Sequence, residues 1–247
     1  MTKAYPGFPN DFPVRGDNRL PLRFLAMRAI LRAGFTAILG GGLDIQGTEN
    51  LVEEGPLLVV ANHLSNIDPL LFGAYWPGNL YAMGKRELFR GRAWTWVLAG
   101  CNSFPVDRGA PDRWSLRIAL DLLAQRRRLL LFIEGTRGEG APGMRRAEPG
   151  VGFLVRRSGA DIQPVAIWGT ERVLTRGRLL PRRAPVHIRY GRVVRRAELG
   201  EGDAQAVADR VGERIAALLP AAYRGVYARP ATPPGGPSVG GEGESLA

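Results

Sequence analysis

The sequence predicts an α/β fold: a mainly parallel, mixed sheet with helices on both faces, preceded by an N-terminal amphipathic helix suited to a membrane interface. Three observations carry this expectation. Short, wholly apolar runs such as Leu57–Val60 and Leu129–Ile133 have the composition of strands buried on both faces. Stretches with apolar residues at helical spacing lie between such runs, which is the alternation of a parallel sheet. The runs also stop abruptly at polar residues, and in open α/β sheets ligands collect at the carboxyl ends of strands.

Taken in order, residues 1–18 are polar and rich in Pro and Gly, and read as an irregular arm without a cleavable signal peptide. From Arg19 to Gly41, Phe24, Met27, Leu31, Phe35 and Ile38 recur at helical spacing, with Arg28 and Arg32 one turn apart. A cationic, strongly apolar helix of this kind suits a bilayer interface, or else packs on the domain with its arginines in water. Gly40 to Gly42 end it. A strand follows at Leu43–Gln46, then the strand Leu57–Val60. Pro69 opens a helical pattern with Asp68 as its cap.

Residues 81–92 begin as a strand and carry a basic cluster, and residues 94–99 read as helical or buried. Ser103 to Arg108 form a short strand that ends in a charged turn. Asp112 to Gln125 form a helix whose basic end, Arg126 to Arg128, suits the dipole. After Leu129–Ile133 come a Gly/Pro/Arg loop over 138–150, a helix over Val151–Arg157, strands at Ile162–Trp168 and Val186–Tyr190, and a helix over Ala204–Leu219. Residues 228–247 are Pro, Gly and Ser without periodicity, the composition of a disordered tail. The expected organisation is an arm and helix over 1–42, an α/β domain over 43–227 and a tail over 228–247.

The chain of 247 residues carries a net charge of +11, nearly all from arginine because Lys3 and Lys85 are the only lysines. Such a charge suits an anionic partner: nucleic acid, a phosphorylated ligand or an acidic membrane surface. No recognised nucleic-acid module or RNP-type strand accompanies it, so no nucleic acid is expected. One cysteine, Cys101, excludes an internal disulfide. With two histidines, His63 and His187, a metal site built on histidine is not expected either. No run of 18 or more uncharged apolar residues is present, so a standard spanning helix is not expected.

Three strand ends are chemically loaded: Asn62-His63, Asp107-Arg108 and Glu134-Gly135-Thr136-Arg137. Asp68 follows His63 by five residues, and on one continuous helix the two side chains would stand roughly 140° apart. A turn between them lets them meet, with the carboxylate holding the imidazole as a general base. The bland reading is a helix cap beside a turn histidine. Together the ends describe a base, two guanidinium groups and a backbone-exposing glycine, matched to a phosphorylated substrate. Cys101 offers a covalent route in principle, although a lone cysteine in an apolar segment more often packs. No G-x-S-x-G elbow and no G-K-[ST] phosphate loop is present.

These stretches, in this order, resemble the glycerophospholipid acyltransferase family, in particular its 1-acylglycerol-3-phosphate (lysophosphatidic acid) acyltransferases. The N-H-x4-D block matches Asn62, His63 and Asp68. The short apolar strand ending in Arg matches SFPVDR with Arg108. The F-P-E-G-T-R-S block matches Phe132, Glu134, Gly135, Thr136 and Arg137, and the Pro in an apolar strand matches Pro164. The likeness runs from about Gly47 to Gly191. Ile133 replaces the usual proline and Gly138 the usual serine, and Glu148-Pro149 stands where a basic residue is common.

The resemblance implies an enzyme of phospholipid biosynthesis. It would transfer an acyl chain from acyl-CoA or acyl-carrier protein to the free hydroxyl of 1-acylglycerol 3-phosphate, making phosphatidic acid. His63 and Asp68 would be catalytic, and Arg108, Glu134, Gly135, Thr136 and Arg137 would bind substrate, with no metal and no cofactor. It further implies a lysophospholipid acceptor, contact with an anionic membrane surface, and a peripheral or monotopic place on the cytoplasmic face of the cell membrane. Another acceptor (glycerol 3-phosphate or a different lysolipid), a basic nucleic-acid-binding protein and a non-catalytic peripheral membrane protein are the alternatives.

Overall fold

Leu57–Ala61 (β2) runs through the middle of the sheet with all five residues buried. Alternation along it sends Leu58 and Val60 to one core and Leu57, Val59 and Ala61 to the other, as a strand covered on both faces requires. The computed structural model describes residues 22–52, 55–92, 95, 98, 102–107, 112–135, 143–175 and 180–228. Of the residues singled out above, the N-terminal arm, most of the stretch 94–99, Cys101, Arg108, Thr136, Arg137, Gly138 and all of the tail after Ala228 lie outside them.

Around β2 the strands are β1 (Leu43–Gln46), β3 (Tyr81–Lys85), β4 (Ser103–Val106), β5 (Arg128–Phe132), β6 (Asp161–Trp168) and β7 (Val186–Tyr190). They form one seven-stranded sheet in the order β1-β7-β6-β2-β5-β3-β4. All neighbours pair in parallel except β6 and β7. The expected mixed, mainly parallel α/β sheet is therefore present. The carboxyl ends of β2, β3, β4, β5 and β6 share one edge, so the three loaded strand ends open on the same side of the sheet.

Six helices accompany the sheet among the described residues: α1 (Leu22–Leu39), α2 (Asp68–Tyr75), α3 (Arg113–Ala124), α4 (Pro149–Ser158), α5 (Thr170–Val173) and α6 (Ala204–Ala216). α3, α4 and α6 pack over one face, with Leu122, Leu154 and Val211 fully inside. α1 and α2 cover the other with Phe35, Leu39, Leu71 and Phe72. Asp112 caps α3 by accepting from the amides of Trp114 and Ser115. Of the basic end expected for that helix, Arg126 and Arg127 follow it directly, their amides donating to the Leu123 and Leu122 carbonyls at 2.9 Å, whereas Arg128 opens β5 opposite Leu57 and is buried.

α1 differs from its expected facing. Arg28 donates to the Gly78 carbonyl and Arg32 to the Ala74 carbonyl, each at 2.7 Å. These carbonyls belong to the last turn of α2 and the segment just after it. Helix ends leave unpaired carbonyls and a partial negative charge, which draw guanidinium groups. The arginines therefore share the protein-facing side with Phe24 and Phe35, and the outward side exposes Leu22, Leu25 and Ile30. No described helix is long and apolar enough to cross a membrane.

α4 and α6 touch through Gly152, where an added Cβ would lie 1.8 Å from the Ala204 carbonyl oxygen. Gly152→Ala is expected to push the helices apart at a cost of about 1–3 kcal/mol and to lower the melting temperature by several degrees. Gly150→Ala, two residues away with nothing within 4 Å of its Cβ, should melt as the wild type does.

Candidate active site

β2 delivers its histidine through an extension of the sheet made by a side chain. The Asn62 amide donates to the Ile167 carbonyl and accepts from the Ile167 amide, both at 2.8 Å. It thereby continues the β2–β6 ladder one step past the strand end, and the chain turns away at His63. The tight turn 63–67 then leads into α2.

Asp68 fixes that turn. Its Oδ2 accepts from His63 Nδ1, the Leu64 amide and the Ser65 amide, each at 2.8 Å, and the residue is fully buried. The expected helix cap is corrected here: α2 begins at Asp68 itself, Ile67 occupies the cap position, and Pro69 is the second helical residue. Rather than capping its own helix, the carboxylate folds back on the preceding turn, whose amides are nearer. The His–Asp contact expected from the spacing is formed.

With Nδ1 engaged by Asp68, Nε2 is the ring nitrogen left to the surroundings. His63 is 3% exposed and its ring stacks on Phe132, centroids 4.0 Å apart at 21°. It lies on the wall of a groove of about 450 Å³ lined mainly by apolar side chains of α1, α2, β3 and the short turn Arg86–Leu88 after it, among them Phe24, Leu31, Leu70, Met83 and Leu88. Lys85 stands in the same wall. Sequence reasoning missed the groove, because its walls come from elements far apart in the chain.

Glu134 supports the histidine from a second side. Its Oε1 accepts from the His63 amide at 3.3 Å and its Oε2 from the Arg145 amide at 3.2 Å. Both oxygens of this buried carboxyl group thus hold main chain. Burial raises its pKa from 4.5 to about 7, against the lowering effect of those two amides and of the Arg145 charge, while the Asp68 charge adds to the rise. Gly135 closes the turn with φ of +64°, and its missing side chain leaves room for Glu148. Asp107, at the end of β4, pairs with Arg86 and donates its amide to Asp112, which anchors the residue immediately before Arg108. No group of three or more His, Cys, Asp or Glu among the described residues is placed to hold a metal ion.

A buried His–Asp pair at the carboxyl edge of a mainly parallel sheet, opening on an apolar groove, marks this chain as an α/β protein with one candidate site at its strand ends. A family model described as Acyltransferase matches residues 42–168, and the chain belongs to that family. Among curated proteins it is similar to the 1-acyl-sn-glycerol-3-phosphate acyltransferase of Bacillus subtilis, 29% identical over 40% of this chain and 50% of that protein. The Helicobacter pylori protein of the same name is 28% identical over 54% of this chain and 56% of its own length. The chain spans about half the length of these curated relatives. Among solved structures, the 1-acyl-sn-glycerophosphate (LPA) acyltransferase PlsC from Thermotoga maritima shares the fold, with a TM-score of 0.67, 22% identity, and coverage of 78% of this chain and 76% of that one.

The raised Glu134 pKa has a consequence for stability. A carboxyl group that holds its proton to higher pH when folded binds more protons in the folded state between about 4.5 and 7. Stability then falls as pH rises through that window, by on the order of 3 kcal/mol at most. Glu134→Gln removes the titration. Its melting temperature, relative to wild type, is expected to climb between pH 5 and pH 8; a difference independent of pH would contradict this.

Proposed function

We propose that the protein transfers an acyl chain from a thioester, acyl-CoA or acyl-carrier protein, to the free hydroxyl of 1-acylglycerol 3-phosphate. The observation that carries this reading is the His63 ring, held at Nδ1 by Asp68 and presented to an apolar groove. Family membership and the names of the curated relatives support the reaction class.

An alcohol is scarcely ionised at neutral pH, so its proton must leave as the oxygen attacks. His63 Nε2 takes that proton while the oxygen bonds to the thioester carbon. Asp68 keeps Nδ1 protonated and stabilises the imidazolium. Collapse of the tetrahedral intermediate breaks the C–S bond, and the imidazolium returns the proton to the leaving thiolate. The products are the ester and a free thiol, without an acyl-enzyme. The acyl chain lies along the groove, where burial of apolar surface favours it.

Arg108 binds the acceptor phosphate in this reading, and Gly135, Thr136 and Arg137 share that role, as the matching motif implies. β4 stands three strands from β2 in the sheet order, about 14 Å at the usual strand spacing. Glu134 takes part by holding the His63 main chain and the following loop. The exposed Leu22, Leu25 and Ile30 of α1 and the exposed Leu70 and Leu88 at the groove suit an apolar membrane surface, from which the lysolipid enters. The cytoplasmic face is the side where acyl-CoA and acyl-carrier protein are supplied.

His63→Ala is expected to lower the transfer rate by about 10²- to 10⁴-fold, read as free thiol released from acyl-CoA with lysophosphatidate as acceptor, in protein that still folds cooperatively but melts somewhat below wild type because Asp68 has lost one donor. Near-native turnover in that variant would end the assignment. Arg108→Ala should raise the KM for lysophosphatidate and leave the KM for acyl-CoA in place; equal losses with a phosphate-free acceptor would remove Arg108 from the headgroup site. Ile30→Glu should reduce sedimentation with anionic lipid vesicles without changing the fold.

A further inference from the structure

Residues 220–228 lie beyond the stretch matched by the family model, 42–168, yet they fold back towards the catalytic edge. After α6 the chain makes two short helical turns, Ala221–Tyr223 and Gly225–Tyr227. Their main chain brackets Met144: the Met144 amide donates to the Tyr223 carbonyl at 3.0 Å, and the Val226 amide donates to the Met144 carbonyl at 3.1 Å. Gly225, at φ +53°, allows this approach, since a Cβ there would lie 2.0 Å from the Met144 oxygen.

Tyr227 ties the same loop from the side. Its hydroxyl accepts from the Ala147 amide at 2.9 Å and donates to Asp209 Oδ1 at 3.1 Å. Its ring sits over Gly212 of α6, where an added Cβ would lie 2.4 Å from the ring. Burial, reinforced by the Asp209 charge, pushes the phenol up to about 12, so it remains a donor at neutral pH. Gln205 donates to the Ala147 carbonyl, and Arg146 pairs with Asp209 at 2.7 Å.

The loop so held is the one that meets Glu134. Arg145 donates its amide to Glu134 Oε2, the Glu148 amide donates to the Ile133 carbonyl at 2.8 Å, and Glu134 Oε1 takes the His63 amide. From the Tyr227 hydroxyl to the His63 main chain there runs one continuous chain of bonded groups: Ala147, Arg145, Glu134. The groove walls, by contrast, include no residue of 143–148 or of 220–228.

We propose that residues 220–228 form a strap completing the acceptor side of the site, with Tyr227 as a positioning residue that acts through loop 143–148 and Glu134 on the headgroup-binding turn. This rests on the acyl-transfer reading above. Because the strap touches the Glu134 side and not the groove, its loosening affects the phosphorylated acceptor and spares the acyl donor.

The test is Tyr227→Phe in the full chain, which keeps the ring over Gly212 and removes only the hydroxyl. The expected result is a three- to tenfold rise in KM for lysophosphatidate with the KM for acyl-CoA unchanged. Faster amide exchange at Ala147 and Arg145, at an unaltered melting temperature, is expected alongside. Tyr227→Ala should enlarge the same split; if it fails to fold, Tyr227→Phe still decides. An unchanged acceptor KM, or equal changes in both KM values, would overturn the strap's role, because a merely structural residue would reduce the active fraction without separating the two substrates. If the wild type transfers nothing to lysophosphatidate, the acyl-transfer reading fails by itself. The exchange measurement then judges the strap separately: unchanged protection at Arg145 and Ala147 overturns it, and lost protection upholds the coupling.

Discussion

A single oxygen atom organises the candidate site. Asp68 Oδ2 gathers the imidazole of His63 and the amides of Leu64 and Ser65, and it does so at a fully buried position. A buried carboxylate without partners is costly, so its three donors are a condition of its being there. The same three bonds shape the turn and set the ring. Amides at 64 and 65 can reach Oδ2 only if the chain bends directly after His63, and that bend turns the ring towards the groove. Orientation of the imidazole is thus a consequence of main-chain hydrogen bonding, with no separate device needed.

Glu134 plays the complementary part, and its environment explains why the two carboxylates differ. Asp68 binds a side chain and its own turn, close in sequence. Glu134 binds main chain from two distant segments, the His63 amide and the Arg145 amide. It therefore registers β2 against the loop before α4, at the point where β2 and β5 have run out of ladder bonds. Asn62 does the same on the opposite side, towards β6. Strand ends in a parallel sheet leave main-chain groups unpaired. Here two side chains supply the missing partners, and the histidine between them is held from both sides.

The sheet was legible because buried parallel strands are written as short apolar runs. β1 and β7 stand where the sequence places them, and β2, β5 and β6 agree to within one residue at either end. The His63–Asp68 contact was legible because five residues with a proline after the aspartate imply a turn. What escaped is what depends on distant packing. Arg28 and Arg32 look like the charged face of an interfacial helix, but the carbonyls that receive them belong to α2 and the turn after it, some 40 to 50 residues on. The same holds for Glu134: nothing local marks it as a main-chain strut, because its partners are His63 and Arg145. Tyr227 carries no motif at all, and its role follows only from the return of the chain after α6.

The second histidine shows why the pair alone does not make the site. His187 Nδ1 lies 3.2 Å from Asp44 Oδ2, and its ring stacks on Trp168 at 4.8 Å, so at the level of contacts it resembles His63. Its setting differs in each respect that matters for chemistry. The side chains of His187 and Asp44 are 30% and 46% exposed, where water screens the pair and its coupling is weak. Asp44 lies within β1, and among the described residues it accepts from the Gln46 side chain rather than from main-chain amides around the histidine. Trp168 also carries Arg189 over its ring, 5.6 Å from the centroid, so the stack that holds His187 belongs to a polar, solvent-facing surface. A general base needs an immobile ring, a screened-off carboxylate and an apolar space where a substrate hydroxyl can approach. In the acyl-transfer reading proposed above His63 meets these requirements: Asp68 and Phe132 hold its ring, Asp68 is fully buried, and the ring lines an apolar groove.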